Sequence, residues 1–94
     1  MTIEVIQNAL IAHNYPEKQA QSVAKELLTL SSQLLPHIES WIENGVEKDF
    51  SVEGFSIIEL KKKFGMTYPA ALLSVDWIIK EPEVAIRAIS RGIR

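Results

Sequence analysis

Six cationic side chains in the last third of the sequence have the types and spacing needed to bind an anion. Three are consecutive lysines and three are arginines at positions i, i+4 and i+7: Lys61, Lys62, Lys63, Arg87, Arg91 and Arg94. If they converge on one surface, they could bind nucleic-acid phosphates in a salt-sensitive manner that is independent of base sequence. The alternative is that they only offset helix dipoles near helix C-termini.

The acidic and basic residues are unevenly distributed along a chain of net charge −2. Residues 1–59 hold nine acidic and three basic residues, whereas residues 60–94 hold three acidic and seven basic residues. This asymmetry favours a basic surface that meets an anion, or the acidic part of a second copy. Pairing of the two halves within one chain explains it equally well.

Other combinations of reactive side chains do not form a recognisable catalytic or metal-binding motif. His13 and His37 are the only histidines, and the chain has no cysteine, so the usual ligands of zinc are scarce. Glu39 and Glu43, with Glu47 beyond them, are typical of a solvated helix face rather than of a catalytic carboxylate pair. We therefore expect a protein that is not an enzyme and has no cofactor, metal or small-molecule substrate.

Length and composition predict one globular domain over residues 1–94. The chain has 94 residues, of which 47% are hydrophobic, enough for one core without disulfides. The longest apolar run, residues 69–73, is far shorter than the roughly 20 residues that span a bilayer. The first helix lacks the basic start of a signal peptide. We expect a cytoplasmic protein with no membrane partner.

Apolar residues recur at helical spacing along most of the chain, which predicts an all-α fold. We expect a compact bundle of five to six helices, separated at Asn14–Pro16, Pro36, Gly45, Gly65 and Pro82. The second helix should run from Pro16 to Pro36. Residues 45–55 are expected to form a loop whose apolar side chains, including Phe50 and Phe55, tuck beneath it. Because Phe50, Val52 and Phe55 alternate with polar neighbours, a short strand-like piece is the alternative, although one strand makes no sheet. The predicted helices cover 2–13, 16–36, 36–44, 56–64, 67–80 and 83–91.

The segment 56–80 reads as helix, tight turn, helix. Ser56 and Glu59 form the S-x-x-E pattern of a capping box, Gly65 occupies the turn, and Thr67 precedes the second helix. With its apolar residues Leu60, Phe64, Met66, Ala71, Val75 and Ile78, this segment resembles the helix-turn-helix superfamily of bacterial regulators. The resemblance implies a DNA-binding helix pair. Lys61 departs from the family, which prefers a small residue there, and the helical pattern after Pro82 predicts no wing.

The second helix of this pair has the wrong composition to read bases. From Tyr68 to Ile79 it contains no basic residue and no amide, although such groups are what recognises bases in the major groove. Its polar residues Ser74 and Asp76 lie about 160° apart around the helix. A helix that is apolar all round is either buried or packed against a partner.

These observations predict a small regulatory or adaptor protein that acts by protein–protein contact. The expected interface is the apolar surface of the second helix: Leu72, Leu73, Val75 and Trp77. Surplus apolar residues beside the main helical stripes make a second copy one candidate partner. The alternative is a helix-turn-helix-type nucleic-acid-binding protein that contacts phosphates through its basic C-terminal third.

Overall fold

The chain forms two compact helical units, one ending at Val46 and the other beginning at Glu47. A computed structural model describes residues 2–92 and contains six α-helices and one two-stranded hairpin within that range. The all-α fold class is therefore confirmed. The boundary of a single domain over residues 1–94 stays a prediction.

The first unit begins with a helical hairpin. Helix α1 (Ile3–Ala12) starts at Thr2, whose Oγ1 accepts a hydrogen bond from the Val5 amide at 3.3 Å. Helix α2 (Glu17–Leu27) follows the turn at Pro16 and packs against α1. Both helices point one apolar face inward, which buries Ile6, Leu10, Ala20, Ala24 and Leu27.

The second helix is shorter than predicted. It ends at Leu27 rather than at Pro36, and residues 28–34 form turns. The Thr29 hydroxyl donates to the Glu26 carbonyl at 2.7 Å, and such local bonds compete with the helical ladder. Leu30 and Leu34 are nevertheless buried. The apolar spacing that predicted a longer helix therefore identified buried residues correctly but not their secondary structure.

Helix α3 (Leu35–Asn44) completes the first unit. It carries Pro36 in its first turn and stops at Gly45, whose φ of 67° lies in the left-handed region that favours glycine. The Trp41 ring, on the buried face of α3, lies 4.4 Å from the His13 ring at the end of α1. His13 therefore has a packing role in this fold.

The second unit opens with a hairpin where the sequence predicted a loop. Strands β1 (Ser51–Val52) and β2 (Phe55–Ser56) pair antiparallel, with Val52 opposite Phe55. Glu53 and Gly54 make the turn with φ of 53° and 81°, as a two-residue hairpin requires. The sequence signal was weak because Glu–Gly is a poorer turn pair than Asn–Gly or Asp–Gly.

Three helices follow the hairpin: α4 (Ile57–Phe64), α5 (Tyr68–Lys80) and α6 (Pro82–Ser90). Helix α5 is central, because it packs against β1, α4 and α6. The Glu59 amide donates to Ser56 Oγ at 3.0 Å, which confirms Ser56 as the N-cap of α4. After α5 the described chain continues as a helix, so no wing follows the α4–α5 pair.

Candidate interaction surface

Local capping fixes the end of α4 and the start of α5. Gly65 ends α4 with a φ of 61°, and its amide donates to the Lys61 carbonyl. Thr67 Oγ1 then accepts from the Ala70 amide at 3.3 Å, and Pro69 occupies the first turn. These residues join α4 to α5 through a tight turn, whereas the resemblance to the helix-turn-helix superfamily stays a prediction.

Most of the surface of α5 is buried within the protein. Eight of its thirteen residues are buried. Leu72 and Val75 each have 0% of their surface exposed, because their side chains point into the core. The predicted interface is therefore wrong for these two residues, which offer no surface to a partner.

The two polar residues in the middle of α5 are buried as well. The Ser74 hydroxyl donates to the Ala70 carbonyl at 3.0 Å. The Asp76 carboxylate pairs with Lys80 Nζ at 2.7 Å, one helical turn away. Both side chains are almost fully buried, and the exposed Lys80 at the end of the helix is paired with Asp76. The middle of α5 therefore presents no polar group with which to read a base edge.

One stripe of α5 remains partly accessible. Ala70, Leu73 and Trp77 are half-buried and follow one another at i, i+3 and i+7, which places them on one helix face. The Trp77 indole Nε1 donates to Glu81 Oε1 at 3.1 Å, which fixes the orientation of the ring. We call these three residues the α5 stripe; it retains Leu73 and Trp77 from the predicted interface.

The lysines of α4 have different surroundings. Lys61 is half-buried and forms an ion pair with Glu47. Its positive charge is therefore already paired with a carboxylate of the same unit. Lys62 and Lys63 are exposed, and Lys63 Nζ lies 5.5 Å from the centre of the Phe64 ring. The position where the superfamily prefers a small residue is thus occupied by a lysine that extends outward to Glu47.

The arginines of α6 do not lie on the surface that carries the lysines. Ile89 is buried and lines a cleft of about 400 Å³ together with Leu60 and Lys63 of α4. Arg87 and Arg91 are each two residues from Ile89, which places them on the opposite side of α6, and both are exposed. The predicted cationic residues therefore form two separate groups. The sixth, Arg94, lies outside the described residues.

Two polar residues that the sequence analysis did not single out, Asp49 and Tyr68, organise the start of the second unit. The Asp49 carboxylate accepts from the Phe50 amide at 2.9 Å and from the Ile58 amide at 3.1 Å. The Tyr68 hydroxyl donates to the Lys48 carbonyl at 2.6 Å. Aspartate is a common capping residue, but only the fold shows that its partner is nine residues away.

Burial also changes the acidity of Tyr68. It raises the pKa of this phenol to about 12, and the nearby carboxylates of Glu47 and Asp49 add to the rise. A phenolate would place a third negative charge beside these two carboxylates in a poorly hydrated position. Tyr68 is consequently a neutral hydrogen-bond donor at physiological pH.

Within residues 2–92 no group of three or more His, Cys, Asp or Glu side chains is arranged to hold a metal ion. None of the helices in that range has the length and apolarity that crossing a membrane requires.

Comparison with known proteins identifies no relative: no protein-family model, curated protein or solved structure matches the chain significantly.

Proposed function

We propose that this chain is a small cytoplasmic protein-binding module, without catalytic activity, that contacts a partner through the α5 stripe. The observation that carries the proposal is the partial exposure of Leu73 and Trp77 on a helix in which eight of the thirteen residues are buried. Aromatic residues in partly desolvated positions contribute more than most others to protein–protein binding. The hydrogen bond from Trp77 to Glu81 orients the indole in advance, which lowers the entropy cost of association.

The partner surface that suits this stripe is an apolar face of a helix. Residues at i, i+3 and i+7 on α5 form a ridge that fits the groove of a second helix at ordinary packing distance. Such a face could belong to another protein or to a second copy of this chain. Its apolar side chains would cover Leu73 and the exposed edge of Trp77.

Site-specific photo-cross-linking in the cells that make the protein tests this proposal. A photoreactive amino acid at position 73 should capture a partner that the same group at position 28 does not. Leu28 is the matched control because it is also a leucine, occupies the C-cap position of α2 and has 44% of its surface accessible. The captured protein is then purified and titrated by calorimetry against the wild type and two variants.

We expect Leu73→Glu to weaken binding of that partner by about 30-fold or more, as loss of an interface hot spot does, whereas Leu28→Glu leaves it unchanged. Leu73→Ser is included as a milder change, and a thermal melt of each variant verifies the fold. Equal affinity of the folded Leu73 variants and the wild type, or absence of any species specific to position 73, would contradict the proposal.

Contact with nucleic-acid phosphates is a second candidate function. It is supported by the exposure of Lys62, Lys63, Arg87 and Arg91. It is less well supported because these cations form two groups on different surfaces and Lys61 is paired. Any such binding would be independent of base sequence, since the middle of α5 offers no polar side chain that could read bases and Lys80 at its end is paired with Asp76.

A further inference from the structure

Two exposed faces of the chain carry opposite charges at the same spacing. Glu39 and Glu43 lie one turn apart on α3; Arg87 lies on α6, and Arg91 follows one turn later as the C-cap of that helix. Residues at i and i+4 are separated by about 6 Å on a helix surface, so the spacing of the two glutamates matches that of the two arginines. Among the described residues none of these four side chains forms an ion pair.

Each charged pair is accompanied by exposed apolar surface. Glu39 and Glu43 line a depression of about 140 Å³ together with Val5 and Ile42, and Val5 is 48% exposed. On α6, Val84 is 52% exposed and precedes Arg87 by three residues, so it projects from the same face as the arginines. The α3 surface is thus an acidic depression lined by apolar side chains, and the α6 surface is an exposed valine followed by two arginines.

We propose that the chain self-associates by seating the α6 face of one copy on the α3 depression of another. Val84 enters the depression against Val5, while Arg87 and Arg91 pair with Glu39 and Glu43. Guanidinium groups suit this contact because they bind carboxylates through two parallel hydrogen bonds. Every copy carries both surfaces, so each copy can offer its α6 face to one contact and its α3 depression to another.

A second copy fits these observations better than a nucleic acid does. Phosphates would neutralise the two arginines but would leave the neighbouring Val84 exposed. As anions, they would also be repelled by the acidic depression. A second copy buries Val84 and satisfies all four charges. The contact uses no residue of the α5 stripe, so it can succeed or fail independently of the proposed function.

Sedimentation velocity on the purified full-length chain tests the proposal through a charge swap. Arg87→Glu with Arg91→Glu should raise the dissociation constant of the dimer by about tenfold or more, because like charges then face each other. Glu39→Lys with Glu43→Lys should do the same. An equimolar mixture of the two double variants should restore the dimer, since each acidic α6 then meets a basic α3 and each unchanged α6 meets an unchanged α3.

The matched control is Lys62→Glu with Lys63→Glu, which alters the net charge by the same amount as the arginine variant at two exposed positions on α4. This control should dimerise like the wild type. Raising salt from about 0.1 M to about 1 M should weaken the wild-type dimer, because the screening length falls to about 3 Å.

A wild type that stays monomeric at about 1 mM protein, a concentration at which even weak association is visible, overturns the proposal. A dimer that both double variants leave intact, or a mixture that fails to restore it, overturns it as well. Leu73→Glu, measured alongside, should dimerise normally; a loss of dimer there alone assigns self-association to the α5 stripe and contradicts the α6–α3 contact.

Discussion

Asp49 and Tyr68 are the residues whose polar contacts hold the start of the second unit against its helices. Asp49 joins the segment before the hairpin to the first turn of α4, where backbone amides have no helical partner. Tyr68 joins the preceding residue, Lys48, to the first turn of α5. Each contact fixes a short segment that has no regular structure of its own.

Asp49→Ala should lower the free energy of unfolding by about 1–2 kcal/mol, as loss of a helix cap does. The amides of Phe50 and Ile58 would both lose their acceptor. Asp49→Asn is the control, because it retains one acceptor oxygen and should lose less. The measurement is urea denaturation followed by circular dichroism; equal stability of the wild type and Asp49→Ala would show that water replaces the cap.

Tyr68→Phe should cost about 1 kcal/mol at neutral pH, because the Lys48 carbonyl loses its donor. The pKa of Tyr68 is about 12 in the folded protein and about 10 in the unfolded chain. Folding therefore favours the protonated phenol, and the stability that it contributes is complete below pH 10 and lost as the pH rises through about 12.

The difference in unfolding free energy between the wild type and Tyr68→Phe, measured from pH 8 to about 12, isolates this residue from the lysines that titrate in the same range. The wild type should lose stability relative to the variant above about pH 10. Parallel curves would contradict the assignment. Absorbance at 295 nm should also lose its late-titrating component in the variant.

At the scale of elements, α4 and the hairpin depend on backbone conformations that only a few residues adopt easily. Gly65 has a φ of 61° at the end of α4 and Glu53 has a φ of 53° in the hairpin turn. Glycine tolerates this region at no steric cost, whereas glutamate does not. The residue type is therefore well suited to the backbone conformation at Gly65 and poorly suited to it at Glu53.

Gly65→Ala should destabilise the protein by about 1 kcal/mol, the cost of a left-handed residue with a Cβ. A Cβ at this position would meet no atom within 4 Å, so the cost is backbone strain alone. Gly65→Asn should lose less, because asparagine tolerates the left-handed region better. Thermal denaturation of the three proteins provides the comparison, and equal losses for both variants would argue against this cause.

Glu53→Asn should instead stabilise the protein, by about 0.5 kcal/mol. Asn–Gly is the preferred pair for a two-residue hairpin turn with two positive φ values. Glu53→Ala serves as the control, since it removes the same side chain without gaining tolerance of positive φ. A loss of stability in Glu53→Asn, measured by urea denaturation, would mean that the turn is not of this type.

At the scale of the whole molecule, the charge asymmetry along the sequence does not follow the two units. The unit ending at Val46 carries a net charge of −3, and the unit beginning at Glu47 carries +1. The acidic residues of segment 47–59 belong to the same unit as the lysines of α4, and Glu47 pairs with Lys61. Part of the basic character is therefore neutralised locally.

Binding to mixed-sequence duplex DNA should consequently be weak and should fall steeply between about 50 and 200 mM salt, as phosphate contacts do. Fluorescence anisotropy measures it. If phosphate contact occurs, Lys62→Glu with Lys63→Glu should reduce it, whereas Lys61→Ala, which removes an already paired cation, should change it little. Selective binding of one duplex sequence at the higher salt would contradict the conclusion that α5 cannot read bases.

Local patterns in the sequence were sufficient for the fold class and for most helix boundaries. Thr2, Gly45, Ser56, Gly65 and Thr67 begin or end helices as predicted, because capping depends on residues only a few positions apart. The hairpin and the early end of α2 were missed. Glu–Gly is a weak turn signal, and Leu30 and Leu34 have the spacing of a helix although turns bury them.

What the sequence determined by itself was that residues 68–79 are mostly apolar and contain no basic or amide side chain, since composition and spacing belong to the segment alone. Only the tertiary structure decided which of its residues reach the surface: Leu72 and Val75 are core, while Leu73 and Trp77 are half-exposed. It also decided that Glu47 and Asp49 act on α4, and that the lysines and arginines lie apart. Burial and long-range pairing depend on how helices pack, and residues distant in sequence determine that packing.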